Sequence, residues 1–135
     1  MSIEPAGREH REVDWSSLLG RATVASEGGL TEIYMQAPSR ADMILTFPSS
    51  HSDPLAKARD VLASLWQLDD AAFEFLTSLE KWPYGDDATL WQVIEDETSI
   101  RLCYMQSTVN DEQVVGFVRN GNEWQLQGFD PRFRG

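Results

Sequence analysis

At 135 residues, 41% of them hydrophobic, the chain has the length of one domain and enough apolar material to build its own core. Its 22 acids against 11 bases give a net charge of −11, a field that repels nucleic-acid phosphates and anionic lipid and attracts a basic partner. No apolar run of signal-peptide or membrane-span length occurs, and a single cysteine, Cys103, forms no internal disulfide, so cytoplasmic residence is the expectation.

Residues 1–12 are polar, contain Pro5 and Gly7 and show no period, so they are expected to form a flexible terminus ahead of a single domain over 13–135. Asp14 is placed to cap a short helical turn through Trp15, Leu18 and Leu19, with Gly20 ending it. Ser26 to Gly29 reads as a turn. Leu30 to Gln36 then alternates as a strand, with Ile33 and Met35 on one face and Glu32, Tyr34 and Gln36 on the other. After the interruption at Pro38-Ser39-Arg40, Met43 to Phe47 resumes as a second strand, and the two make a hairpin that Pro48 stops.

A helix start follows, with Ser52 or Asp53 as the cap and Pro54 at the first helical position. Leu55, Ala58, Leu62, Leu65 and Trp66 recur at helical spacing. A second helix is expected from Asp69 or Asp70, whose carboxylates suit a helix N-terminus, with Phe73, Leu76 and Leu79 as its apolar stripe. The junction at Gln67-Leu68 fits either two helices or one kinked helix. Trp82-Pro83-Tyr84-Gly85 ends the helical region, because a residue before proline avoids helical geometry.

The remainder reads as a meander. Leu90 to Ile94 is its first strand and Glu95-Asp96-Glu97 a turn. Ile100, Leu102 and Tyr104 alternate with Arg101, Cys103 and Met105 in the second strand. Val109 to Glu112 turns the chain into Val114–Val118. Asn120-Gly121-Asn122 then leads to Trp124 and Leu126 alternating with Gln125 and Gln127, Asn-Gly being a strong hairpin signal. The expected fold is therefore α+β. It is an antiparallel sheet, a C-terminal four-stranded meander plus an N-terminal hairpin, with two helices on one face in the order ββ-αα-ββββ. Leu126 is expected in its core.

Chemistry-bearing residue types do not assemble into a motif. His51-Ser52-Asp53 holds the residue types of a hydrolase triad, but sequence neighbours do not adopt triad geometry among themselves. Cys103 sits between Leu102 and Tyr104 with no base nearby in sequence, the setting of a buried, inert thiol. The acids at Asp86, Asp87 and Glu95–Glu97 lack the alternation and central glycine of a calcium loop. The expectation is thus neither catalytic residues nor a metal or other cofactor.

The charge is uneven. Residues 1–59 are net −2 and residues 98–135 are neutral, whereas Asp60 to Glu97 carries ten acids against Lys81 alone, net −9. Within that segment Trp82 and Tyr84 run directly into Asp86 and Asp87. Aromatic anchors surrounded by charge are what a site for a basic protein uses. Size, acidity, α+β make-up and this aromatic-acidic loop resemble the small acidic immunity proteins that bacteria carry beside toxins. The resemblance implies a cytoplasmic, non-enzymatic inhibitor that binds a basic protein, a cognate toxin or effector. It points to no nucleic acid and no membrane. The partner-binding residues would be Asp69, Asp70, Glu74, Trp82, Tyr84, Asp86, Asp87, Glu95, Asp96 and Glu97. Two alternatives stay open: an acidic secretion chaperone, which needs an exposed apolar groove, and a small-ligand-binding or enzymatic α+β domain with a tryptophan-lined pocket.

Overall fold

The computed structural model describes residues 10–38, 41–50, 52–79, 88–105 and 112–129. Helix α1 (Trp15–Leu18) passes into a 3₁₀ turn at Leu19–Arg21 and is followed by strands β1 (Thr23–Glu27), β2 (Leu30–Gln36) and β3 (Asp42–Pro48). Helix α2 (Pro54–Ser78) leads to β4 (Thr89–Glu95), β5 (Ser99–Met105), β6 (Glu112–Asn120) and β7 (Glu123–Phe129). Trp82, Tyr84, Asp86 and Asp87, most of the expected Val109–Glu112 turn and residues 1–9 of the expected flexible terminus fall outside the described residues.

The α+β class holds, with the order corrected. Among the described residues seven strands form one sheet in the order β1 to β7, antiparallel at every step except the parallel pair β3–β4. The expected hairpin and meander are thus two halves of one sheet. Parallel neighbours need a crossover connection, and α2 supplies it.

β1 was not expected as a strand. All five of its residues are exposed, so it carries no apolar period to read. Its turn to β2 is Gly28-Gly29, at φ 62° and 80°, a left-handed pair that glycine adopts freely and that matches the twist of a hairpin. β2 and β3 pair from Leu30↔Pro48 to Gln36↔Asp42, with Ile33, Met35, Met43, Leu45 and Phe47 buried. The β6–β7 loop is Gly121-Asn122, one residue later than the Asn120-Gly121 pair.

The second correction concerns the helices. α2 is one helix of 25 residues, about 37 Å long at 1.5 Å per residue. It starts as expected, with Asp53 Oδ1 accepting from the Ala56 N–H at 3.1 Å and Pro54 in the first turn. Asp69 and Asp70 cap nothing. Neither glycine nor proline stands near them, and the buried stripe Ala58, Val61, Leu62, Leu65, Leu68, Asp69, Ala72 and Leu76 runs on unbroken. At α1, too, the Asp14 side chain makes no capping bond; its carbonyl accepts from Ser17 N–H and Oγ instead.

The core lies between α2 and the sheet face carrying Ile33, Leu45, Val93, Leu102, Tyr104 and Phe117. Trp15 is buried in it, whereas Trp66, Trp91 and Trp124 are half-buried. Leu126 is a correction as well: 40% of it is exposed, because it stands on the edge strand β7 beside an open hollow. Cys103 is buried in β5. Among the described residues no helix is long and apolar enough to cross a membrane.

Candidate binding site between the helix and the last hairpin

The acidic segment divides by burial. Asp69 belongs to the apolar stripe of α2 and is fully buried. Its Oδ1 accepts from the Tyr104 hydroxyl at 2.6 Å and from His10 Nε2 at 3.4 Å, and its Oδ2 accepts from Arg11 at 2.7 Å. Arg11 also bonds Asp70 and lies 5.4 Å over the Trp66 ring, while Trp15 Nε1 donates to the His10 carbonyl at 2.8 Å. Burial by itself would push the Asp69 carboxyl up, but bonding and charge from His10, with the bonds from Tyr104 and Arg11, outweigh it and hold the group at about 2. The cluster pins the segment at His10–Arg11 to the middle of α2. Asp69 therefore cannot meet a partner: its oxygens are enclosed and already bonded.

Glu95 is the second buried acid, 3% exposed at the end of β4 and on the face of Val93. Lys57 Nζ, in the first turn of α2, lies 3.0 Å from its Oε2. It too is withdrawn from the expected partner surface. Asp96 is half-buried, and its carboxylate shapes the β4–β5 turn. Its Oδ1 accepts from Thr98 N–H at 2.8 Å and Ser99 N–H at 2.7 Å, and its Oδ2 from Ser99 Oγ at 3.0 Å. Burial raises this carboxyl, and those bonds bring it below the usual aspartate value. Asp70, Glu74 and Glu97 are exposed, as is Asp60. Asp70 and Glu74 stand about 15 and 21 Å along the helix from Asp60.

What sequence reasoning missed is a cleft. A hollow of about 180 Å³ lies between the N-terminal half of α2 and the β6–β7 hairpin. Its buried lining, Val61, Ile100 and Glu95, makes the floor; Asp60, Arg119 and Asn122 are exposed at the rim. A second hollow, of about 490 Å³, adjoins it through the shared Ser64, Asn122 and Trp124 and runs over Leu68, Phe117 and Leu126. The Arg119 guanidinium stacks 4.4 Å from the centre of the Trp124 ring, and the Arg119 N–H bonds Thr98 O at 2.9 Å, tying the hairpin to the acidic turn. The cleft therefore presents an aromatic face, two internally held cations and three carboxylates, those of Asp60, Glu95 and Glu123.

The gap at Gly116/Phe117 in the β6–β7 register shapes the far end of this hairpin. Gly128 there has φ 100°, a backbone conformation that other side chains rarely adopt, so glycine is what the register shift requires; the Phe75 ring of α2 packs beside it. Among the described residues no group of three or more His, Cys, Asp or Glu side chains is arranged to hold a metal ion. Comparison with protein-family models, curated proteins and solved structures finds no match.

Proposed function

We propose that the protein is a non-enzymatic acidic binding protein that engages and blocks a basic protein, as a cytoplasmic bacterial immunity protein does its cognate toxin. The observation that carries this reading is the division of the −9 segment. Asp69 and Glu95 are used internally, while Asp60, Asp70, Glu74 and Glu97 remain exposed along α2 and on the turn after β4. Charges so placed raise the rate of encounter with a basic surface and select against acidic ones. The proposal keeps Trp82, Tyr84, Asp86 and Asp87, which lie outside the described residues, among the partner-binding residues.

The secretion-chaperone alternative needs one continuous apolar groove. The exposed large hydrophobics among the described residues are divided: Val24, Leu30 and Tyr34 on β1–β2, and Leu126 and Phe129 on β7. Five strand spacings separate β2 from β7, about 24 Å. The ligand-pocket alternative calls for several tryptophans around a pocket, whereas Trp124 is the one that lines the cleft among the described residues; its signature is a small molecule bound without any protein partner.

Titration against the product of the neighbouring gene, at low and high salt, tests the proposal. Rim charges act on encounter, so high salt should slow association far more than it changes dissociation. A complex indifferent to salt, or absent, would contradict it.

A further inference from the structure

Resting on that reading, we propose that the cleft takes one guanidinium or ammonium side chain of the basic partner, on the face of Trp124 that Arg119 now covers. The hollow of about 180 Å³ far exceeds the roughly 10–15 Å³ that a single water needs, so a side-chain head group fits. Trp is the strongest aromatic acceptor of a cation, and the Arg119 guanidinium at 4.4 Å shows that this ring already holds one.

Arg119 is an exposed residue, so its exchange for an incoming cation costs little, and the displaced guanidinium moves into water. Asp60 at the rim then supplies a counter-charge to the incoming cation. Lys57 stays on Glu95 throughout, because leaving that buried carboxylate alone is unfavourable. An anionic ligand is disfavoured on the same grounds. Of the two cations lining the hollow, Lys57 is committed to Glu95 and Arg119 to the ring, and the molecule as a whole carries −11.

The test is an NMR titration of the full chain with N-acetyl-arginine amide, with N-acetyl-glutamine amide and succinate as controls. The Trp124 indole N–H signal is assigned through Trp124→Phe. Arginine amide should shift the Trp124 indole and Arg119 Nε–H signals together and saturably, and neither control should. Arg119→Gln removes the internal competitor and should tighten arginine-amide binding roughly two- to fivefold, the worth of an exposed cation–π contact. Asp60→Asn should weaken it. Unmoved signals, a response to succinate instead, or weaker binding in Arg119→Gln would overturn the proposal. If arginine amide fails while the salt-dependent protein complex survives, the cleft assignment falls alone. If arginine amide binds but no protein complex forms, the partner reading falls, and with it the assignment of the cleft to a protein side chain.

Discussion

Asp69 and Glu95 are both buried carboxylates drawn from the most acidic part of the chain, yet they sit in opposite kinds of surroundings. Asp69 is closed in by α2, Tyr104 and the segment at His10–Arg11, and donors from three residues meet its oxygens. Glu95 has one ammonium, Lys57, and forms part of the floor of an open hollow. A buried charge met by donors from several elements fastens those elements together, because they share one acceptor. A buried charge with one partner at the floor of a hollow is held less firmly, because water in the hollow takes over part of that partner's role when it is removed. The same residue class is thus a fastener at the middle of α2 and a component of a site at its beginning.

The largest expected effect lies on the fastener. Asp69→Ala takes away the buried acceptor that His10, Arg11 and Tyr104 share and should cost about 3–5 kcal/mol in chemical denaturation, the usual result of breaking a buried charge pair. A loss below 1 kcal/mol would mean the cluster adds little. Next comes acid sensitivity. Folding holds Asp69 at about 2, below the ordinary 3.8. A depressed carboxyl contributes stability above its unfolded value and loses it as the pH falls through the folded one. The wild type should therefore lose about 2 kcal/mol between pH 4 and pH 2 through this group, and Asp69→Asn should lack that component.

Lys57→Met probes the open pair. Water entering the cleft solvates Glu95, so the cost should be about 1–2 kcal/mol, clearly below that of Asp69→Ala. Equal losses at the two acids would erase the distinction between them. Smallest is Leu126→Ala. With 40% of the residue exposed, no sealed cavity forms, and about 1 kcal/mol is expected in place of the 2–5 kcal/mol of a core leucine.

Much of the sheet was legible because alternation and turn chemistry are local. β2, β3 and the strands of the meander fall within about two residues of their expected bounds, and Asp53-Pro54 starts α2 as the capping rules require. β1 was not legible, since a strand exposed on both faces has no period. Asp69-Asp70 imitated a helix start. The contrary signal was present in the spacing: Asp69 stands four residues after Leu65 and seven before Leu76, on the buried stripe, where an acid calls for partners. Those partners lie 59, 58 and 35 residues away, beyond the reach of local pattern. Glu95 carried a similar signal, two residues after Val93 on the inward face of β4. The cleft was hidden for a related reason. Period-2 alternation says which way Trp124 and Leu126 point, but not that α2 leaves that end of the sheet uncovered.

The central claim is that the acids left exposed after Asp69 and Glu95 are taken inside are the ones that meet a partner. It is tested most directly by stopped-flow association of the protein with its neighbouring-gene product, at low and high salt, for the wild type and for Glu74 and Glu97 together changed to Lys. Both residues are exposed, so the fold should be unaffected. The account predicts that the double variant associates several-fold more slowly at low salt, that the difference closes at high salt, and that dissociation changes little. Equal association rates at low salt would contradict it and leave the charge of α2 and its neighbouring turn a matter of solubility alone.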